Sequence, residues 1–347
     1  MKLINVYFLF VLALVMISCS SDKDNKDYKG NNDYEDNNDN DYEDNNDQEF
    51  ARSYTDVRYG PAASTAPGYH VRQVLDLTLP NTGNGPFPLL IFIHGGAFIA
   101  GDKSDVRSTA FNNAPSRGYA LASIRYRLAA NGQAVGRFPD GIQDCLAAIR
   151  FLRANAARYR LDTERFAVSG FSAGAYHTAF ITAFTNSEYA DGITEDLSLG
   201  NAEFSSKVQA GVSWSALTDF LQKDAQQAMN PDVNYMFQSN SPTSPEAAYI
   251  GGQITLPANA AILAKSNPLN YITVNTPPIL MQHAKNDNLV PWQQSQIMVD
   301  KINEVCGPGR AELELISNGG HGGSPFNSAS NLNKIFSYLD EKLNIRR

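Results

Sequence analysis

Cysteine is scarce in this chain: three residues in 347, at positions 19, 145 and 306. Three thiols cannot make a disulfide framework, so an apolar core must hold the fold, and 43% apolar residues suffice for a large one. Cys145 and Cys306 fall in helical patterns, where a small buried apolar residue is expected rather than a nucleophile. Positive charge is also short, with 28 Lys and Arg against 36 Asp and Glu, a net charge of −8. That excludes a basic nucleic-acid surface. The acidity is local. Twelve Asp or Glu and three Lys lie between Ser20 and Phe50, a net of −9, so the rest of the chain is nearly neutral. Long apolar runs are missing as well: Val6–Ile17 is twelve residues, against the roughly 20 that a bilayer-spanning helix needs. No internal repeat is visible. Histidine numbers only five, which makes elimination among candidate bases practicable.

The chain then divides by composition. Residues 1–18, with Lys2 ahead of the apolar run, read as a signal peptide. Met16-Ile17-Ser18-Cys19 resembles the lipobox of bacterial lipoproteins, which implies lipidation at Cys19. With Ser20 rather than Asp following, the resemblance implies an outer-membrane lipoprotein, periplasmic or surface-exposed, that meets the membrane only through its N-terminal lipid. An ordinary cleaved secretory signal is the alternative. Residues 19–50 are Asn/Asp-rich and cannot bury enough apolar surface to offset ordering entropy. They read as a disordered acidic tether reaching roughly 30 Å. Residues 51–347 form the globular part.

Within it, apolar strand-like runs alternate with helical periodicity. Strands are expected over Val71–Leu79, Pro88–Ile93, Ala120–Tyr126, Arg165–Ser169, Gln209–Trp214, Ile279–His283 and Ala311–Ile316. Helices are expected over Asp105–Arg117, Gly141–Tyr159, Ala173–Phe184, Gln293–Glu304 and Asn327–Leu343. This alternation predicts an α/β fold, with a mostly parallel, doubly wound sheet. Residues 215–277 have no clean period and are about twice as long as a plain crossover requires. They read as a cap insertion beside the site, or as a decorated surface loop.

The chemistry centres on Gly170-Phe171-Ser172-Ala173-Gly174, between an apolar strand and an Ala-rich helix. A serine flanked by glycines at such a turn is pushed out of the sheet as a nucleophile. A serine hydroxyl needs a base. Only His177, His283 and His321 follow Ser172. His177 sits on a helix running away from the serine and reads as packing or surface. His283 ends a strand. His321, in Asn318-Gly319-Gly320-His321-Gly322-Gly323 after the last strand, is the expected base. Asp287, just past the penultimate strand, is the expected acid that orients His321; Asp300 competes but falls on a helix. The oxyanion donors are the amides of Gly95, Gly96 and Ala173. His94 reads as a structural hydrogen-bonding residue. No metal or cofactor is called for.

Several motifs fall together in family order: His94-Gly95-Gly96-Ala97-Phe98 with Gly101-Asp102-Lys103, then Tyr126-Arg127-Leu128, the Asp144 helix, Gly170 to Gly174, His283 to Pro291, and His321. Over roughly residues 70–345 the chain resembles the His-Gly-Gly carboxylesterase branch of the α/β hydrolases, related to hormone-sensitive lipase and to bacterial acetyl- and feruloyl-esterase-like proteins. It departs from them at Ala97, at Gly174-Ala175 and at Ala284. The resemblance implies a carboxylesterase-type serine hydrolase acting on short acyl esters, with acetyl or feruloyl groups on polysaccharides as its glycan substrates. Trp292 and the cap aromatics would stack on sugars or serve as packing. A serine peptidase of the same fold and a non-catalytic glycan-binding lipoprotein are the rival readings.

Overall fold

A computed structural model describes residues 50–346 apart from 64, 67 and 185–190. The leader, Cys19 and the tether up to residue 49 lie outside the described residues. The unit described below begins at Arg52.

The strands are β1 (Ser53–Arg58), β2 (Val74–Thr78), β3 (Phe87–Ile93), β4 (Ala120–Ile124), β5 (Leu161–Phe171), β6 (Ala210–Trp214), β7 (Ile279–Ala284) and β8 (Ala311–Ile316). They form one eight-stranded sheet in the order β1-β2-β4-β3-β5-β6-β7-β8. Only the β1–β2 and β2–β4 pairs are antiparallel; every other pair is parallel. The inner strands β3 and β4 are buried along their whole length and covered on both faces, and β3 reads as an unbroken apolar run; β8, at the edge, alternates Glu with apolar residues. Leu90 and Phe92 of β3 join a cluster with Val106, Phe111, Ile335, Phe336 and Leu339. Leu89, Ile91 and Ile93 alternate with them and are equally buried toward the other face.

The α-helices are α1 (Asp140–Ala154), α2 (Ala156–Tyr159), α3 (Ala173–Phe184), α4 (Phe220–Ala228), α5 (Pro245–Ile250), α6 (Ala260–Ser266), α7 (Gln293–Cys306) and α8 (Ala329–Lys342). The chain runs from β3 to β4 on one side, then β5 adds on β3's other side. Ligands of open α/β sheets bind where strand order reverses in this way. The register Ile93↔Gly170 and Phe171↔Trp214 brings the carboxyl ends of β3, β5 and β6 level at that point.

Several expectations need correction. Asp105–Arg117 is not one helix but three 3-10 segments, Lys103–Ser108, Ala110–Asn113 and Pro115–Arg117. Thr109 is extended (φ −116°, ψ 158°), which ends the first segment, and Pro115 opens the third. The Gly141–Tyr159 helix breaks at Asn155. The second strand is shorter than expected because Val71 lies in a turn, 65% exposed. β1, absent from the sequence reading, is a half-exposed edge with a register shift between Tyr54 and Val57, which blurs its alternation. Cys145 is buried as expected, but Cys306 is only half-buried and donates to the Thr273 carbonyl (3.0 Å). Residues 215–277 hold three short α-helices, α4, α5 and α6, and two 3-10 segments, Pro257–Asn259 and Pro268–Tyr271, a mixture that carries no single period.

Candidate active site

Ser172 sits at the turn from β5 into α3 with φ of +56°, in the left-handed region that costs a non-glycine residue roughly 1–2 kcal/mol. Two neighbours make that turn possible. A Cβ on Gly170 would run into the Gly174 carbonyl, and one on Gly174 into the Ile93 and His94 carbonyls. Alanine fits neither place. The Ser172 amide is held by the Trp214 carbonyl (2.9 Å), which ties the turn to β6.

His321 Nε2 stands 2.9 Å from Ser172 Oγ, and its Nδ1 stands 2.8 Å from Asp287 Oδ2. Asp287 is buried, and Oδ1 accepts from the Leu289 and Val290 amides, both at 2.9 Å. Burial alone would raise its pKa. The neighbouring His321 and the hydrogen bonds from His283 and His321 outweigh burial and hold the carboxyl well below the usual carboxylate range. An ionised Asp287 requires the proton on His321 Nδ1. Nε2 is then free to accept the Ser172 hydroxyl proton. The ring of Phe171 packs on His321 (centroids 4.9 Å apart). Asp300 lies elsewhere, accepting from Gln296 one turn away on α7.

His283 supports the acid rather than the serine. Its Nε2 lies 3.0 Å from the Val290 carbonyl and 3.3 Å from Asp287 Oδ2, while Nδ1 accepts from Ser295 Oγ (2.8 Å). Sequence reading placed His283 beside the acid loop but gave it no role; its spacing of four from Asp287 was the available signal. His177 is buried among Phe98, Tyr126, Tyr176 and Tyr249, with no hydrogen-bond partner on either ring nitrogen among the described residues. Burial pulls its pKa down to about 3 and keeps it neutral.

The Gly95–Gly101 loop leaves β3 beside the serine. A Cβ on Gly95 would lie 2.9 Å from the Phe171 carbonyl and 3.4 Å from Ser172 Cβ, so glycine permits this approach. His94 donates from Nδ1 to the Gly95 carbonyl (2.7 Å) and accepts at Nε2 from Arg72 (3.3 Å). Arg72 also holds the carbonyls of Gly101 (2.7 Å) and Tyr126 (2.7 Å). Burial lowers the His94 pKa to about 3, which fixes this neutral form. Arg72 carries no motif and escaped the sequence reading. Ala173 opens α3, where the first amides of a helix have no intrahelical acceptor and the dipole is positive.

The 215–277 segment reaches the loop that carries Asp287. The Met236 amide donates to the Asn288 carbonyl (3.0 Å). Burial and the Asp287 charge push the Tyr235 phenol up to about 12. Trp292 sits half-buried at the start of α7.

Comparison with known proteins now bears on this geometry. A solved structure of a bifunctional GH43-CE from Bacteroides eggerthii is 28% identical, with a TM-score of 0.70, over 84% of this chain and 38% of that one. A truncated carbohydrate esterase from gut microbiota is 25% identical, TM-score 0.70, over 85% of this chain and 97% of that one. The "Probable carboxylic ester hydrolase LipM" of Mycobacterium tuberculosis is 27% identical over 67% of this chain and 48% of its own length. The chain thus spans about half the length of the curated relatives it matches. The strand order and these likenesses give the α/β-hydrolase fold. A family model, BD-FAE, matches residues 75–302, about two thirds of the chain, taking in Ser172 and Asp287 and stopping short of His321. The chain belongs to the BD-FAE family of α/β hydrolases.

Proposed function

We propose that the protein is a serine carboxylic-ester hydrolase acting on short acyl esters, with acetyl or feruloyl groups on polysaccharides as its natural targets. The observation that carries this is the unbroken line from Ser172 Oγ through His321 to Asp287, with steps of 2.9 and 2.8 Å. His321 takes the hydroxyl proton as Ser172 attacks the ester carbonyl. Asp287 steadies the imidazolium, and the amides of Gly95, Gly96 and Ala173 receive the developing oxyanion. His321 then protonates the leaving alcohol, and water releases the acyl group by the same route in reverse.

The glycan part of the proposal draws on the carbohydrate esterase among the structural relatives. Anchorage at the outer membrane through a lipidated Cys19 belongs to the same reading and draws on the Met16–Cys19 motif. Purified protein should hydrolyse 4-nitrophenyl acetate and release acetate or ferulate from acetylated xylan or feruloylated oligosaccharides, and Ser172→Ala should do neither. Equal rates in the two proteins, or faster cleavage of peptide than of ester substrates, would defeat the reading. Radiolabelled palmitate should enter the full-length chain and not its Cys19→Ser variant; equal labelling of the two would defeat the anchor.

A further inference from the structure

Three consecutive residues of the oxyanion loop are left-handed: Gly96 (φ +108°), Ala97 (+54°) and Phe98 (+67°). Only the first is glycine. The turn closes through the Ile99 and Ala100 amides on the Gly96 carbonyl (3.0 and 2.9 Å), and the Phe98 carbonyl accepts from Ala129 (2.9 Å). These bonds use backbone alone and do not explain a bulky aromatic at a strained position, where side chains are disfavoured.

The ring supplies the explanation. Phe98 is fully buried and stacks nearly parallel on Tyr249 of the cap helix α5, with centroids 4.1 Å apart and planes 11° apart. It meets Tyr176 and His177 of α3 edge-on at 5.3 and 5.8 Å, and Phe220 of α4 at 5.9 Å. One ring therefore touches the helix that begins with Ala173 and two helices of the cap. Tyr249 is itself fixed. Its carbonyl accepts from Phe138 (2.8 Å), and a buried Lys223–Glu246 pair (2.7 Å) joins α5 to α4.

We propose that Phe98 is a positioning residue for the oxyanion hole and that Tyr249 clamps it, so that the cap sets the rate of chemistry as well as enclosing substrate. This rests on the esterase reading of the site. The strained turn points the Gly95 and Gly96 amides only while Phe98 is held. Released, the backbone relaxes and the donors drift from the place where negative charge develops. Removal of a whole oxyanion donor costs about 100- to 1,000-fold in kcat; loosening two should cost roughly 10- to 100-fold.

The test compares wild type, Tyr249→Ala, Tyr249→Leu, Tyr249→Phe and Phe336→Ala on 4-nitrophenyl acetate, together with amide hydrogen exchange of the peptide covering residues 96–100. Phe336 is a buried aromatic of α8, away from the cap, and controls for general loosening. Loss of the flat ring should lower kcat roughly 10- to 100-fold with KM within about twofold, and speed exchange at Ile99 and Ala100. Tyr249→Phe, which keeps the ring, should restore both readouts, and Phe336→Ala should move neither. Tyr249→Leu serves where Tyr249→Ala fails to fold, since it keeps apolar bulk. A higher KM at unchanged kcat, or an equal kcat loss in Phe336→Ala, overturns the proposal and leaves the esterase reading standing. Absence of ester hydrolysis in wild type removes the esterase reading, and exchange alone then decides: unchanged exchange in the ring-loss variants overturns the clamp.

Discussion

The turn at Gly170–Gly174, proposed to present the nucleophile, and the 215–277 segment, read as a cap, are built by opposite means. The turn is decided locally. Within five residues, two glycines stand where any Cβ would strike a carbonyl, and the serine between them is forced to positive φ. The cap is decided from a distance. Gln294 of α7 accepts from the amides of Thr218 (2.8 Å) and Asp219 (2.9 Å) and donates to Gln226 (2.6 Å); Tyr249 stacks on Phe98, 151 positions earlier in the chain. Strain held by local sterics tolerates no substitution. Order held by long-range contacts fails gradually, one partner at a time.

Four substitutions break or sharpen this contrast. Asp287→Asn should cost the most activity, about 10⁴-fold in kcat, because an amide favours the wrong His321 tautomer; this scale is that of the same change in a serine protease triad. Gly174→Ala should follow, with a loss of kcat of at least about 100-fold, since the added methyl meets the Ile93 carbonyl and shifts the turn, and a misplacement of about an ångström from productive geometry costs about that much. Stopped-flow turnover of 4-nitrophenyl acetate checks both, and near-wild-type rates in Gly174→Ala would show that the turn is not sterically fixed. Gln294→Ala acts on the other side of the comparison. It leaves two amides at the start of the cap without their acceptor, at about 1–3 kcal/mol each, visible in urea melts, while kcat on a small ester falls far less than in Gly174→Ala.

The smallest effect is one of pH. His94 and His177 are buried with pKa values lowered to about 3, against an ordinary value of about 6.5. The unfolded chain therefore takes up protons below about pH 6.5 that the native state refuses. The stability from each neutral ring is complete above that pH and is lost as pH falls toward 3. Between pH 6.5 and 5 the loss is about 2 kcal/mol for each histidine. His177→Phe should remove about half of it, because His177 has no hydrogen-bond partner among the described residues to forfeit. An identical acid slope in that variant would show that His177 is protonated or hydrated in the native protein.

The same contrast explains what could be read from the sequence. The central strands were legible because burial on both faces writes unbroken apolar runs, as at Pro88–Ile93. The meeting of Ser172, Asp287 and His321 was legible because strand order in a parallel sheet fixes which loops share an end, and only three histidines follow the serine. Arg72 was not legible: an arginine in a turn carries no signal until the fold sets it against His94, 22 positions later. Nor was the role of Phe98, whose backbone strain appears in no periodicity. β1 was missed because a half-exposed edge strand with a shifted register has neither an apolar run nor a clean alternation. The 105–117 segment misled because its apolar spacing suits a helix while Thr109 and Pro115 interrupt one.

The central claim is that Ser172 forms the acyl enzyme. It is tested most directly by incubating the protein with a slowly deacylating ester or a fluorophosphonate and locating the adduct by peptide mass spectrometry. The account predicts one covalent adduct per chain, on the peptide containing Gly170–Gly174, lost in Ser172→Ala and slowed in Asp287→Asn. An adduct on any other residue, or ester turnover that persists in Ser172→Ala, would contradict it.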